Sequence, residues 1–304
     1  MTRALFIATV FAWGTSWYAL HFQLGYAPVE VSICYRFALG SLFLCLILAM
    51  TGRLKPLPPR VHLYLALMGF CFFGLNFFLV YTSVTYIATG VASVIFTISA
   101  VFNGLNQWLF LGKSPGPQVL AGSALGSLGV ACLSSGQLGG AADHAWIGVL
   151  LALAGTYAFS LGNLLSVRVT SLGVDLPNAI VRSMAWGAFG SAAACAATGQ
   201  HFAIPKATEY WAALVWLSLI ATVTGSLCYL SLVNRLGAAK AGYITVLFPF
   251  LALTLSTLLE GYRWHWIAAL GVLLILLGCL MVFATGPASL SERLYRRQEA
   301  RCDA

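Results

Sequence analysis

The sequence has very little charge. Only 8% of its 304 residues are charged and 60% are hydrophobic, whereas about 25% of the residues in an ordinary soluble domain are charged. A water-soluble globule cannot bury so much apolar surface, so the composition predicts an integral membrane protein. Because the apolar residues fall in long continuous runs and not in short alternating segments, we expect helices and not barrel strands.

Carboxylates and histidines are missing from the middles of the apolar runs. The 8 Asp and Glu residues and the 5 His residues fall at the ends of runs, in the connections or in the tail. An intramembrane enzyme would need paired Asp, a Ser/His set or metal ligands inside the runs, and a proton-driven carrier usually holds a titratable group there. The pattern therefore predicts no enzyme, no catalytic residue, no metal and no cofactor. It favours facilitated movement of a substrate, or at most loose ion coupling.

Cysteine and glycine patterns exclude two further classes. No two of the 8 Cys residues form a C-x-x-C pair, and nearly all lie in apolar runs, as small buried side chains do. A disulfide framework or a metal site is not expected. Gly112-Lys113-Ser114 resembles the end of a phosphate-binding loop, but Gln107 stands where that motif requires glycine. ATP hydrolysis is therefore not supported.

The apolar runs predict the number of membrane spans and their orientation. About 20 residues cross a bilayer core, and ten runs reach that length. An even number of spans places both termini on one side, and Lys and Arg concentrate in the connections of that side, which the positive-inside rule identifies as cytoplasmic. The excess of basic residues is thereby explained without nucleic-acid binding. The predicted runs are 4–22, 29–50, 61–82, 87–111, 117–136, 144–167, 177–198, 209–233, 238–259 and 264–285.

The chain also contains a duplication. Residues 78–133 recur, degraded, as residues 227–282, with Gly122 matched by Gly271. A repeat of five spans is odd in number, so the second copy must enter the membrane upside down relative to the first. Many secondary transporters are built this way and hold their substrate near the midplane, between the two halves. We therefore predict an all-α membrane protein with a first repeat at 1–140, a second, inverted repeat at 141–286 and a basic cytoplasmic tail at 287–304.

Short motifs lie in a fixed order along the chain. They are Ala12-Trp13-Gly14-Thr15-Ser16, Arg36-Phe37, Thr89-Gly90-Val91-Ala92-Ser93, Gly237-Ala238-Ala239-Lys240-Ala241-Gly242, Leu247-Phe248-Pro249 and Leu259-Glu260-Gly261. In this order and spacing they resemble the drug/metabolite transporter superfamily, and within it the ten-helix branch built of two EamA repeats. The aromatic-rich spans look most like the amino-acid exporters of that branch, including exporters of aromatic amino acids. The first repeat departs from the pattern, because Leu111-Gly112-Lys113 lacks the usual acidic residue and Ala100 stands opposite Pro249.

Polar and aromatic side chains in the middles of the spans are candidates for a substrate site. Hydroxyls and amides there commonly bridge helices, and deep aromatic rings can simply pack the bundle. Their concentration in the first, third, fourth, sixth, eighth and ninth spans favours a cavity, with the remaining spans outside it. An aromatic wall would take a substrate side chain while polar groups fix a zwitterionic head. The predicted lining is Trp17, Phe72, Asn76, Phe96, Thr97, Ser160, Asn163, Tyr229 and Phe248.

Three further residues are candidates for a hinge or a gate. Pro249 frees a backbone carbonyl in the ninth span, which either marks a kink or serves a substrate ammonium group. Arg36 and Arg182 lie a turn or two inside the second and seventh spans. Each either extends to the membrane interface or caps a helix end, or acts as a gate or as the partner of a substrate carboxylate.

The sequence and the resemblance together predict a secondary transporter of the bacterial inner membrane. It would export amino acids, with neutral and aromatic or hydrophobic ones favoured, by alternating access. The alternatives are a carrier of another small metabolite, such as a nucleotide sugar or a drug-like compound, and an intramembrane enzyme. The expected partners are a small-molecule substrate and membrane lipids, and the protein is expected to be a monomer or a weak homodimer.

Overall fold

The computed structural model describes residues 2–112, 117–138, 144–236, 238–261 and 264–284. Every element of regular structure in these ranges is helical, so the all-α prediction is confirmed for them. The predicted tail at 287–304 lies outside the described residues, as do Lys113, Asp143, Gly237 and Arg263.

Helices fall on the predicted apolar runs. They are α1 (Thr2–His21), α2 (Val29–Met50), α3 (Pro59–Met68, Gly69–Leu75 and Asn76–Ser83), α4 (Thr89–Phe96 and Ser99–Leu111), α5 (Pro117–Leu138), α6 (Ala145–Ser171), α7 (Leu176–Ala197), α8 (Thr208–Val215, Trp216–Thr224 and Gly225–Leu236), α9 (Ala238–Leu259) and α10 (Trp266–Ala284). The middle segments of α3 and α8 are π-helical. The two segments of α4 are joined by a turn at Thr97 and Ile98.

The length and composition of several helices suit a bilayer. Within the described residues, 5 stretches are long and apolar enough to cross a membrane, and shorter apolar helices accompany them. The count of ten spans stays a prediction. The long stretches are Val29–Met50, Pro59–Ser83, Thr89–Phe110, Ala145–Ser171 and Thr208–Tyr229.

The outside of the bundle is apolar and its interior is closely packed. Large hydrophobic side chains such as Ile7, Leu109 and Leu258 are exposed, which is costly in water but favourable against lipid. One buried cluster joins α1, α3, α4, α6, α9 and α10, with Val130 of α5, and a second joins α2, α3 and α7, with Val169 of α6 and Val223 of α8. Five of the six helices that the sequence predicts to line a cavity therefore share the first cluster, and the sixth, α8, contributes to the second. Helices α2 and α7 pack on each other through a bond from Ser41 Oγ to the Val181 carbonyl at 2.8 Å.

Glycines bring α5 and α10 into close contact. A Cβ at Gly129 would lie 2.7 Å from the Gly271 carbonyl oxygen, and one at Gly278 would lie 2.5 Å from the Gly122 carbonyl oxygen. Only glycine allows backbones to approach so closely. Gly122 corresponds to Gly271 in the duplication and Gly129 to Gly278. The two helices therefore run antiparallel, and matched positions exchange partners.

Candidate functional site

A cavity of about 110 Å³ lies inside the helical bundle. One water molecule needs roughly 10–15 Å³, so the space holds several waters or part of a small solute. Helices from both halves of the duplication form its wall. The lining residues are Trp13, Ser16, Trp17, Leu20, Arg36, Phe72, Phe73, Asn76, Phe77, Val80, Phe96, Phe159, Ala221, Thr222, Ser226 and Phe248.

Five of the nine predicted lining residues lie at this cavity. They are Trp17, Phe72, Asn76, Phe96 and Phe248. Their positions follow from helix geometry, because residues three or four apart, such as Phe72 and Asn76, share one face of a helix. The proposed hinge residue Pro249 follows Phe248 directly inside α9.

The structure places the other four predicted residues in contacts between or within helices. Thr97 Oγ1 donates a hydrogen bond to the Val94 carbonyl at 2.7 Å. Ser160 Oγ donates to Asn103 Oδ1 at 2.7 Å, and Asn163 Nδ2 donates to the same oxygen at 3.4 Å. These bonds tie α6 to α4. The ring of Tyr229 packs 5.0 Å from that of Trp13, behind the cavity wall.

Aromatic rings form a continuous wall on one side of the cavity. The Trp17 ring lies edge-on to Phe96 at 5.7 Å and stacks on Phe248 at 6.4 Å. Phe159 continues the wall, 4.6 Å from Phe96 and 4.5 Å from Phe72. Aromatic pairs in such geometries are stabilised by about 0.5–1.5 kcal/mol beyond the burial of their area. The wall is therefore an ordered apolar surface for a hydrophobic group.

The side chain of Arg36 points into the interior of the helical bundle. Its side chain is only 5% exposed. Nε and Nη2 donate to Thr222 Oγ1 at 3.3 and 3.2 Å, and Nη1 donates to Tyr81 Oη at 3.3 Å. Tyr81 Oη in turn donates to Gln23 Oε1 at 2.7 Å. The guanidinium also lies 4.5 Å from the centre of the Phe77 ring, a cation–π distance.

The positive charge of Arg36 has no acidic partner among the described residues. In the described part of the chain, Lys55 forms an ion pair with Asp175 at 2.9 Å, away from the cavity. Three hydrogen bonds use three of the five N–H groups of the guanidinium, and their acceptors are neutral hydroxyls. A buried cation without a counter-charge is costly, so this side of the cavity favours an anion.

Asn76 presents an unpaired acceptor near the arginine. The residue is 2% exposed, and its Nδ2 donates to the Phe72 carbonyl at 3.2 Å. Its Oδ1 is buried without a hydrogen-bond partner among the described residues. Such an orphaned acceptor costs about 1–3 kcal/mol. A residue of the cavity wall thus carries a buried acceptor whose hydrogen-bonding capacity is unused in this structure.

The two π-helical segments shape the cavity. Gly69–Leu75 contributes Phe72 and Phe73, and Trp216–Thr224 contributes Ala221 and Thr222. The two segments occupy nearly matching positions in the duplication. Short π-helical turns often occur at functional sites because they shift which side chains face a cavity. No sequence pattern predicted them.

Arg182 lies at a helix end, away from the cavity. Its Nη1 donates to Asn178 Oδ1 at 2.9 Å and its Nη2 donates to the Lys55 carbonyl. Burial opposes the ionisation of the nearby Asp175, but bonds from Lys55 and Asn178 outweigh it and hold the pKa of Asp175 below its ordinary value. This cluster fixes the α2–α3 connection against the start of α7. Arg182 therefore holds a connection between helices in this structure, and its role as a gate or hinge stays a prediction.

A second polar cluster joins the end of α9 to the start of α4. Glu260 Oε1 accepts a hydrogen bond from Thr89 Oγ1 at 2.5 Å. Its Oε2 accepts from the Thr89 backbone N–H at 3.2 Å and from Ser256 Oγ at 2.8 Å. The carboxylate thus caps the N-terminus of α4, where the helix dipole favours negative charge. The acidic residue that the sequence motif places at the end of α9 therefore joins the second half of the duplication to the first.

Some residues of the site were missed by the sequence prediction. Thr222, Ser226 and Trp13 were visible as polar or aromatic groups inside spans, but helix rotation decides whether they reach the cavity. Trp13 Nε1 donates to the Ala221 carbonyl at 3.1 Å. Gln23 lies beyond the end of α1, so no span pattern pointed to it.

Comparisons with known proteins agree with this architecture. The EamA-like transporter family matches residues 2–135 and 145–284. The chain is 28% identical over 262 residues to "Uncharacterized transporter YvbV" of Bacillus subtilis, covering 84% of this chain and 83% of that protein. It is 26% identical over 275 residues to "Uncharacterized inner membrane transporter YedA" of Escherichia coli K12, covering 89% and 87%.

One solved structure, described only as "Crystal structure of protein", superimposes with a TM-score of 0.63 at 17% identity, covering 92% of this chain and 96% of that one. At this identity the likeness concerns the fold alone. The family match, in contrast, extends over nearly the whole chain. The protein is a multi-pass membrane transporter and belongs to the EamA-like transporter family.

Proposed function

We propose that this transporter exports amino acids, with neutral and aromatic or hydrophobic ones favoured, across the bacterial inner membrane by alternating access. The observation that carries the proposal is the composition of the cavity wall. One buried cation, one unpaired amide oxygen and a set of aromatic rings surround the same small space. These are the groups that a zwitterion with an apolar side chain requires.

Each part of an amino acid has a matching partner. The carboxylate would accept hydrogen bonds from Arg36, which forms paired bonds with planar oxyanions. The ammonium group would donate to Asn76 Oδ1, which has no partner among the described residues. The apolar side chain would pack on Trp17, Phe96 and Phe248. Neutral amino acids with aromatic or branched side chains therefore fit best.

The cavity favours this substrate class over a nucleotide sugar. Arg36 is the cation among the described lining residues, and one cation matches one carboxylate. A nucleotide sugar carries a diphosphate with at least two negative charges. A carrier for it would need a second basic residue at the cavity and a larger space.

The packing of the halves supports alternating access. Matched glycines of α5 and α10 exchange partners in antiparallel helices, as a two-fold axis perpendicular to the helices would require. We therefore infer two inverted halves, at residues 1–140 and 141–286, with ten spans in total. The distribution of Lys and Arg then places both termini in the cytoplasm. On this arrangement the Glu260–Thr89 contact lies on the outer face and the Arg182 cluster on the inner face.

Counterflow into liposomes tests the proposal. The purified protein is reconstituted in vesicles loaded with unlabelled leucine or phenylalanine, and uptake of the labelled amino acid is followed. Wild-type protein is expected to catalyse uptake. Phe248→Ala and Asn76→Ala are expected to slow it at least about fivefold, since each removes a contact worth on the order of 1 kcal/mol or more. The matched control is Phe250→Ala, because Phe250 lies on the same helix and is 50% exposed. Absence of flux for every amino acid would refute the substrate class.

A further inference from the structure

We infer that the obligatory recognition element of the cavity is the carboxylate, so that the transporter also binds apolar monocarboxylates that have no amino group. The inference rests on the proposed function and extends it from amino acids to aromatic and branched-chain carboxylic acids. It follows from an asymmetry in the wall of the cavity. The wall offers a full positive charge to an anion but only neutral acceptors to a cation.

Arg36 is the anion-binding group of the cavity wall. It is 5% exposed, and its hydrogen bonds leave one N–H on each of Nη1 and Nη2 without an acceptor among the described residues. These are the groups that bind both oxygens of a carboxylate side by side. Pairing a buried arginine with a negative charge is favourable inside a membrane, where an unpaired charge is costly. A bound monocarboxylate therefore balances the positive charge of Arg36.

The orientation of the guanidinium is set by a chain of partners. Thr222 holds Nε and Nη2, while Tyr81 holds Nη1 and is itself bonded to Gln23. Tyr81 is 1% exposed and Gln23 is also 1% exposed. Because these partners are buried, the arginine does not need the substrate in order to adopt its position. A lysine at this place would supply the charge without the planar fork.

The cation-binding half is weak by comparison. The described lining residues include no Asp or Glu. To an ammonium group the described lining side chains offer hydroxyl and amide oxygens, such as those of Ser16, Ser226 and Asn76, and aromatic faces, all without a negative charge. An amine without a carboxylate would place a second positive charge beside Arg36 and would be repelled. The ammonium group of an amino acid is therefore tolerated and weakly held, and is not required.

Three compounds of one shape separate the contributions. Phenylalanine carries both groups, 3-phenylpropanoate lacks the ammonium group and 2-phenylethylamine lacks the carboxylate. Their binding to the purified full-length transporter is measured by isothermal titration calorimetry in detergent, which avoids leakage of the uncharged acid through liposomes. Phenylalanine and 3-phenylpropanoate are expected to bind within about tenfold of each other, whereas 2-phenylethylamine binds at least about thirtyfold more weakly, as for a buried charge that has lost its partner.

Three variants at two positions assign these effects to residues. Arg36→Gln is expected to abolish binding of both carboxylates, and Arg36→Lys to restore part of it. Asn76→Ala is expected to weaken the binding of phenylalanine more than that of 3-phenylpropanoate, because phenylalanine alone of the two has an ammonium group that donates to the Asn76 oxygen. The control is Arg60→Gln, since Arg60 is exposed at the start of α3. Should Arg36→Gln not fold, the three compounds on the wild-type protein still decide.

The outcomes separate this inference from the proposed function. Binding of phenylalanine without binding of 3-phenylpropanoate overturns the inference and leaves amino-acid export standing. Tightest binding of 2-phenylethylamine overturns it in favour of an amine site. If neither phenylalanine nor 3-phenylpropanoate binds, the inference fails, and the proposed function fails with it when counterflow also detects no flux of any amino acid.

Discussion

At the scale of single residues, Arg36 has the largest effect on which substrate the cavity can bind. The sequence places it a turn or two inside the second span, where an arginine either reaches the interface or serves the interior. Depth along a helix does not distinguish these alternatives, because they depend on the direction of the side chain. In the structure Thr222 and Tyr81 hold it inside. The same reason explains why Asn76 and Phe248 reach the cavity while Thr97 and Ser160 bond elsewhere.

Thr222 provides a test at this scale that leaves Arg36 itself unchanged. Thr222→Val removes the shared acceptor of Nε and Nη2, so the guanidinium loses its orientation and the expected cost is about 1–3 kcal/mol. Phenylalanine binding, measured by calorimetry, is predicted to weaken between about fivefold and a hundredfold. Thr224→Val is the matched control, since Thr224 is exposed and its hydroxyl donates to the Leu219 carbonyl and not to Arg36. Equal affinities of the two variants would contradict the positioning role of Thr222.

At the scale of helices, the sequence predicted where each helix lies along the chain better than it predicted the backbone geometry within a helix. Apolar runs located the helices because burial in lipid requires long uninterrupted apolar segments. The π-helical segments Gly69–Leu75 and Trp216–Thr224 were not predictable, because a π-turn depends on tertiary packing around it. Helix α2 was expected to lie outside the cavity, but its residue Arg36 lines the cavity wall. The acidic end of α9 was recognised, but its contact with α4 was not.

The contact between α9 and α4 can be tested through Thr89. Thr89→Val keeps the shape of the side chain but removes its hydrogen bond to the Glu260 carboxylate. Hydrogen bonds to charged groups contribute about 1.5–3 kcal/mol, so the thermal unfolding midpoint in detergent is expected to fall by several degrees. Thr85→Val serves as control because Thr85 is exposed and its hydroxyl donates to the nearby Thr82 carbonyl of the same helix end. An unchanged midpoint for Thr89→Val would show that the cap contributes nothing to stability.

At the scale of the whole molecule, the duplication carries most of the prediction. Constant spacing between matched glycines such as Gly122 and Gly271 was readable from sequence, and the antiparallel contact of α5 with α10 fits it. The direction of each half across a bilayer was predicted from the basic connections and the substrate class from the resemblance, and both stay predictions. The first depends on the membrane, and the second on a cavity whose wall comes from seven helices far apart in sequence.

The mode of energy coupling is also a property of the whole molecule. No Asp, Glu or His lies among the described lining residues of the cavity, and proton-driven carriers usually depend on such a group inside the membrane. Substrate movement is therefore expected to follow the substrate gradient. A pH-sensitive dye trapped in vesicles should report no proton flux when phenylalanine is added. Substrate-stimulated proton flux that protein-free vesicles lack would contradict this expectation.

The central claim is that the cavity opens in turn to each face of the membrane and closes around substrate. Ser226→Cys, placed in an otherwise cysteine-free protein in sealed vesicles, tests it directly, because Ser226 lines the cavity. Its rate of reaction with a membrane-impermeant maleimide is measured from each face, with and without phenylalanine. Alternating access predicts reaction from both faces and slower reaction in the presence of phenylalanine. A thiol that reacts from neither face, or at a rate unaffected by substrate, would contradict it.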